Sequence, residues 1–588
     1  HPATWRRRSS SEFTRLNTCI SPAKSRCSIQ AQPCLKRLID ENNNYSDLSE
    51  GDEINSNLAR EKPHRNSKRF REMRSRTSEY GEDGSSKSEK DLTDIRWASD
   101  LFRSTFHKFN SQHSGIKASI RYSAWILDYF QLFCSEDFIN FIVGTTNSYC
   151  SSLDKNYNTI NLQNTSLPEM YCFPALKLLM SRNKKLKYSE YWSNDKLLRS
   201  NIFGEVMSRD RFLYLLKILH FNTNIVTADV DKLYKIRESC DKLRQRFQEA
   251  FYPFQILCID ESLLLYKGRL SFKQYIPSKR NRFGIKSFVL CDTKSGFVQD
   301  FIIYNGSLTT VNCVNEFIGK SGNIVMELLK PYLGKGHTLY VDNWYTSPTL
   351  FILLHHNRTN ACGTVRKRRK GMPVIQNKLK TGEVSFRSSK YLLAMRWCDK
   401  REVYMLSSFH SEEFVETKRH YRTREMIMQP KCVFDYNKLM GAVDKTDMVI
   451  STIHSERKAL KWYKKYFFHL IDICIWNAYC LYKLKTGKQI SMASFHLELI
   501  RQLLSRYQSD SKNTIANKSG KTNPLRLAEN HFPSLYTIEN PRGKNQMRVC
   551  VVCSRNDKRR RSRYQCEICN VGLCVTPCFK KYHTQLSY

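Results

Sequence analysis

The sequence predicts an α/β core that carries an inserted segment, is flanked in the chain by helical regions, and is followed by a small cysteine-rich module. Three observations predict it. Two short apolar runs, Gln255-Ile-Leu-Cys-Ile-Asp260-Glu-Ser-Leu and His337-Thr-Leu-Tyr-Val-Asp342-Asn-Trp-Tyr, each end on an acid. That pattern suits buried central strands delivering a carboxylate to a sheet edge. A third acidic point, Gly441-Ala-Val-Asp444-Lys-Thr-Asp447, opens a helical pattern. Finally, seven Cys and His residues crowd between Cys550 and His583.

The totals bound the function. The chain has 588 residues, with 96 Lys and Arg against 55 acids, a formal net charge of +41. An excess on that scale points to a polyanion partner, nucleic acid first. No run approaches the roughly 20 apolar residues of a membrane-spanning helix. The opening His1-Pro-Ala-Thr-Trp-Arg-Arg-Arg is basic but leads into no apolar signal core, so a secretory route is not expected. Six of the 21 cysteines lie between Cys550 and Cys578, and fifteen are scattered singly. Scattered single cysteines fit a reducing compartment better than a disulfide frame.

In chain order, residues 1–92 are rich in Ser, Asn, Arg and Glu with little apolar periodicity, and are expected to be a disordered tail. Residues 93–254 are mainly helical. Apolar residues recur at three- and four-residue steps over Tyr122–Phe141, Pro168–Ser181 and Ser208–Phe221, the last capped by Ser208. Residues 255–365 change period. Ile285–Asp292 and Phe297–Tyr304 flank the turn Thr293-Lys-Ser-Gly296, a hairpin signal. A helix over Val311–Tyr332, a strand at Thr338–Val341, a helix from Pro348 to His356 and a strand near Ala361–Val365 follow.

Strand, strand, strand, helix, strand, helix, strand, with acids ending the first and fourth strands, is the order of an RNase H-like fold. A right-handed crossover sets the fourth strand parallel beside the first and makes Asp260 and Asp342 neighbours. Residues 366–430 read as an insertion domain, 431–453 as the last catalytic helix, and 454–510 as helix packing back on the region before 254. Residues 511–545 read as a linker and 546–588 as the cysteine-rich domain.

Three carboxylates on separate elements are what a two-metal phosphoryl-transfer site needs, and Mg²⁺ prefers such hard oxygens. Asp260, Asp342 and Asp444 are the expected catalytic Mg²⁺ ligands, for two ions. Asp447 lies one turn from Asp444 and supports either the site or only its helix, and Glu261 is similarly ambiguous. Acids at strand ends commonly cap turns, so the placement of all three carries the reading.

Cys550-x2-Cys553-x12-Cys566-x2-Cys569-x4-Cys574-x3-Cys578-x4-His583 needs an eighth ligand for two tetrahedral Zn²⁺ sites, and His531 is the candidate. The expected pairing is interleaved: Cys550, Cys553, Cys574 and His531 on one structural ion, Cys566, Cys569, Cys578 and His583 on the other. Basic runs offer DNA contacts at Arg366, Lys367, Arg368, Arg369 and Lys370, at Arg457 and Lys461, and at Arg559, Arg560 and Arg561. Phosphate contact and nuclear import explain such runs equally well. Trp462 offers a face for an extruded base, although core packing is the commoner fate of such an indole.

Several stretches together resemble the piggyBac transposase family. They are Asp260-Glu-Ser-Leu-Leu-Leu-Tyr-Lys-Gly-Arg269, Gln274-Tyr-Ile-Pro-Ser-Lys279, Phe283-Gly-Ile-Lys286, Val341-Asp-Asn-Trp-Tyr345, Asp435-Tyr-Asn-Lys-Leu-Met-Gly-Ala-Val-Asp444-Lys-Thr-Asp447 and the terminal Cys/His module. The resemblance runs from about residue 95 to the end of the sequence. It implies a three-aspartate RNase H-like core interrupted by an insertion domain, a helical dimerisation and DNA-binding domain built from segments on both sides, and a cross-brace zinc domain. It also implies Mg²⁺-dependent cut-and-paste transposition of double-stranded DNA at TTAA sites through hairpin intermediates, in the nucleus, by a homodimer that uses no small-molecule substrate. A transposase-derived DNA-binding protein that no longer transposes is the competing expectation, because intact aspartates alone do not prove transposition.

Overall fold

The computed structural model describes residues 94–588 except 122, 153–163, 223–230, 278, 280–281, 307–308, 310, 312–314, 376–378, 420–425, 456–460, 513–530, 538–546 and 586–588. The expected N-terminal tail, residues 1–92, lies outside them. The first helical region includes α1 (Ile126–Gln131), α2 (Glu136–Ser152), α3 (Leu167–Arg182), α4 (Arg209–Ile218) and α5 (Arg237–Ala250), with a short helix Asn201–Val206 before α4. The single helix expected over Tyr122–Phe141 is in fact two. Ser135 starts the second, its Oγ accepting from the Phe138 N–H at 3.2 Å, and a serine in that place competes with helix continuation. Ser208 caps α4 as expected, accepting from Arg211 N–H at 3.3 Å.

The sheet is built on β1 (Ile256–Leu265). Its alternation sends Leu257 and Ile259 into one buried cluster and Cys258 and Leu264 into the other, so both faces are covered. β2 (Phe283–Asp292) pairs antiparallel with β1, and β3 (Val298–Ile303) with β2. The connecting turn needs Gly296, at φ +79°. A Cβ there would lie 2.9 Å from the indole of Trp476. Next come α6 (Gly319–Leu329), β4 (Thr338–Val341), α7 (Pro348–His356) and β5 (Asn360–Thr364). The helix α6 starts later than expected, at Gly319. β4 runs parallel to β1, and β5 parallel to β4. The order β3-β2-β1-β4-β5 therefore sets the fourth strand beside the first.

Strands of residues 366–430, the expected insertion domain, join the sheet of the core. Among their described residues, β6 (Val384–Ser388), β7 (Leu393–Cys398) and β8 (Glu402–Ser407) continue the same sheet, in the order β5-β8-β7-β6. β8 lies antiparallel on β5, Met405 against Thr364 and Ser407 against Cys362. Without it β5 would present an unpaired edge, and Leu393, Ala394 and Leu406 enter the same buried clusters as the older strands. A hairpin, Phe414–Arg419 with Met426–Pro430, leads into α8 (Lys431–Leu439) and α9 (Ala442–Ile453).

The long α10 (Trp462–Thr486) is buried on every side from Tyr463 to Ala478, the mark of a helix enclosed by others. It ends at Gly487, whose left-handed φ of +66° suits glycine. α11 (Met492–Lys512) packs on α3 and α1. Tyr507 stacks on Tyr171 at 4.1 Å, and Gln502 accepts from the Leu127 N–H at 2.9 Å. The expected return of residues 454–510 to the earlier helices is thus present. No helix among the described residues is long and apolar enough to cross a membrane.

Candidate active site and cysteine module

Because Ile259 pairs with Val341 in the parallel β1–β4 ladder, Asp260 and Asp342 stand next to each other at the strand ends. Carboxylate oxygens of Asp260, Glu261 and Asp342 all lie within 4.8 Å of one another. The Asp342 carboxylate is oriented by its own turn: Oδ1 accepts from Trp344 N–H at 2.9 Å, and the backbone carbonyl accepts from Thr346 Oγ1 at 2.8 Å. Gly363 on β5 permits this turn, since a Cβ there would sit 2.3 Å from Thr346 Oγ1. Burial pushes the Asp260 carboxyl up to about 7, against the pull of Lys279. Burial also raises that of Asp342, with the negative Glu261 adding to it. Carboxylates gathered in this way against their own repulsion fit a divalent cation, which would relieve both burial and repulsion.

Asp444 stands apart from that group. It sits in the first turn of α9, is 62% exposed, and its Oδ1 accepts from Lys279 Nζ at 2.7 Å. The same ammonium is 3.7 Å from Asp260 Oδ2. Lys279 therefore bridges two of the three expected ligands. Burial works against its charge, but Asp260 and then Asp444 more than compensate and hold its pKa above the ordinary lysine value. Asp447 faces the sheet, where Ser262 Oγ of β1 donates to it at 2.7 Å. Burial raises its carboxyl to about 6. It docks α9 onto β1.

Two lysines here carry site contacts that the sequence reading left without a role. Besides Lys279, Lys286 Nζ donates to Glu261 at 2.9 Å and lies over the rings of Phe288 and Trp344 at 4.6 and 4.7 Å. Both lysines occur in stretches that carried the family resemblance. No spacing rule assigns either to the site, because each arrives from a strand or loop whose register only the fold sets. The basic run 366–370 follows β5 and meets the Asp342 turn: Arg366 Nε donates to Asn343 Oδ1 at 3.1 Å, and Arg369 donates to the carbonyl of Trp344 at 3.0 Å. Arg366, Lys367, Arg368 and Lys370 are exposed around it.

Lys461 is exposed, and Arg457 lies outside the described residues. Trp462 packs edge-on to Phe272 at 5.3 Å as a partly buried neighbour of the main core.

The cysteine module forms two four-ligand groups, and they correct the interleaved pairing. Cys550, Cys553, Cys574 and Cys578 form one, and His531, Cys566, Cys569 and His583 the other. His531 and Cys578 have exchanged places relative to expectation. The reason is strand pairing: Pro533–Leu535 runs antiparallel to Tyr564–Cys566, which carries His531 to Cys566. The expected linker 511–545 therefore already contains part of the module. Cys553 Sγ is 3.5 Å from Cys578 Sγ and 3.9 Å from Cys574 Sγ, and Cys566 Sγ is 3.4 Å from His531 Nδ1. Tetrahedral ligands around Zn²⁺, at about 2.3 Å for sulfur and 2.0–2.1 Å for nitrogen, have separations of this size. His583 Nδ1 lies 2.9 Å from the Phe579 carbonyl, an arrangement that leaves Nε2 facing Cys569 as a ligand. Arg559, Arg560 and Arg561 are exposed on this module.

Comparison with known proteins supplies the context for these two sites. Residues 127–479 match the transposase IS4 family. The human PiggyBac transposable element-derived protein 3 is 25% identical over 469 residues, covering 77% of this chain and 75% of that protein. The human PiggyBac transposable element-derived protein 2 is 28% identical over 375 residues, covering 60% of this chain and 61% of that protein. Among solved structures, a cryo-EM piggyBac transposase synaptic complex with hairpin DNA superposes with a TM-score of 0.60. It shares 24% identity and covers 79% of this chain and 98% of that one, a likeness of fold.

Proposed function

We propose that this chain, which belongs to the transposase IS4 family and within it to the piggyBac transposases, is a DNA transposase that cuts and pastes at TTAA sites through hairpin intermediates on an RNase H-like core. The observation that carries the proposal is the pair Asp260 and Asp342, delivered side by side by parallel strands with Glu261 within 4.8 Å.

Divalent cations held there, Mg²⁺ by preference, would polarise the attacking and leaving oxygens of phosphoryl transfer. Asp260 and Asp342 would hold them as half-buried ligands. Asp444, presented by α9 and paired with Lys279, would be the third ligand. Asp447 keeps α9 seated through Ser262. Lys286 holds Glu261 and thereby orients its carboxylate beside Asp342. Arg366, Lys367, Arg368 and Lys370, exposed around the Asp342 turn, suit contacts to DNA phosphates next to the reacting strand.

The cysteine module would hold two structural Zn²⁺ ions and present Arg559, Arg560 and Arg561 to DNA. Double-stranded DNA is the partner in this reading, the active form is a homodimer, and the site of action is the nucleus.

A reporter interrupted by a TTAA-flanked element bearing its cognate ends tests this in cells. Restoration to a single TTAA by the wild type and its loss in Asp260→Ala is the expected result. Absence of excision by the wild type, with DNA binding retained, would overturn it in favour of a second reading, a DNA-binding protein that no longer transposes. The names of the relatives, proteins derived from a transposable element, favour that alternative.

A further inference from the structure

We propose a third metal site, made by His454, His469 and Asp472, which takes a borderline transition-metal dication such as Zn²⁺ and pins the end of α9 to α10. Ligand atoms of these three residues lie within 4.8 Å of one another. They come from two elements. His454 is the C-cap of α9, while His469 and Asp472 are one turn apart on α10 and so face the same way. His454 Nδ1 is 3.2 Å from Asp472 Oδ2, which also accepts from the Ser455 N–H at 3.3 Å.

The second observation is independent of that clustering. Asp472 is fully buried, His469 is 7% exposed and Ser455 1%. Yet Asp472 Oδ1 and His469 Nδ1 are each buried without a hydrogen-bond partner. Buried polar atoms are almost always partnered, so two orphans, one on the carboxylate and one on the imidazole a turn away, call for an occupant. Two imidazoles and a carboxylate are the donor set of Zn²⁺, Co²⁺ or Ni²⁺ rather than of Mg²⁺, which prefers oxygen.

The site is distinct from the carboxylates at the sheet edge. Asp444 opens α9 and His454 closes it, ten residues on, which is about 15 Å along a helix. A cation at the far end fixes the tilt and rotation of the helix that presents Asp444, and ties it to α10 of the helical body.

Full-length protein equilibrated with excess Zn²⁺ and then desalted tests this by metal analysis and by anomalous scattering at the zinc edge. An anomalous peak between His454 and Asp472 is expected, together with the loss of one zinc equivalent per chain in His469→Asn while the cysteine-bound zinc stays. His454→Ala, at the partly exposed ligand, gives the same reading should His469→Asn fail to fold. Equal zinc content in wild type and His454→Ala, or no peak in the wild type, would overturn the proposal and leave a water-bridged polar cluster.

Discussion

Lys279 puts a positive charge between two carboxylates that are expected to share a metal ion. Its ammonium is 2.7 Å from Asp444 and 3.7 Å from Asp260, so a divalent cation bound by both acids competes with it. One charge-assisted contact of this kind is worth about 1.5–3 kcal/mol, and about 1.4 kcal/mol is tenfold in affinity. Lys279→Gln should therefore tighten Mn²⁺ binding by about tenfold in a calorimetric titration. Unchanged or weaker binding would show that the lysine does not occupy the cation's place. Asp342→Ala acts differently. It removes a half-buried proposed ligand and no phosphate contact, so strand cleavage should vanish while transposon-end DNA still binds with near wild-type affinity in a gel-shift titration. Loss of both together would mark Asp342 as a folding residue. The sequence named these aspartates because each ends an apolar run or opens a helix. It left Asp447 open between site and support, and the fold adds its contact with Ser262 across to β1. The lysines carried no such local signature.

Among the elements, the cysteine module gives the sharpest test. The pairing now rests on the strand Pro533–Leu535, which brings His531 to Cys566. Replacing both His531 and His583 by Ala strips two ligands from one ion and none from the all-cysteine group. One zinc equivalent should be lost, and Co²⁺ substituted into the remaining site should show a pure tetrathiolate spectrum. Under the interleaved pairing both sites would keep three ligands and a mixed spectrum. The sequence picked out all eight side chains that the fold gathers into two groups but not their partition, because residue order along a chain does not say which strands pair. The same limit explains β6, β7 and β8. Their strand character was legible at Glu402–Ser408, but that they extend the main sheet depends on an edge of β5 that no local pattern reveals. The break between α1 and α2 was within reach of sequence reasoning, through Ser135 as a cap. The unbroken apolar periodicity across it concealed the boundary.

At the scale of the whole molecule, the helical body is assembled from two stretches separated by the entire sheet, and Lys464 is one of its joints. The side chain leaves α10, is 9% exposed, and Nζ donates to the carbonyls of Leu216 and Lys217 at the end of α4, at 3.0 and 2.6 Å. Those carbonyls lack intrahelical partners, so the ammonium completes the helix end. Burial nonetheless pushes its pKa down to about 8, with repulsion from Lys461 and Lys235 adding to the effect. The sign of the consequence follows from proton counting. Between about 8 and the ordinary value of 10.5, the unfolded chain keeps a proton that the folded chain has released. Stability from this group therefore rises with pH across that window, while below about 8 the burial penalty is constant. Lys464→Met removes both the penalty and its titration. Urea unfolding midpoints of wild type and variant, compared in steps from pH 7 to pH 10.5, should show wild type gaining on the variant only above about pH 8. A difference that stays flat over the range would mean that the ammonium titrates in the folded protein as it does in water. The joint between α10 and α4 would then be wetter than the carbonyl contacts make it.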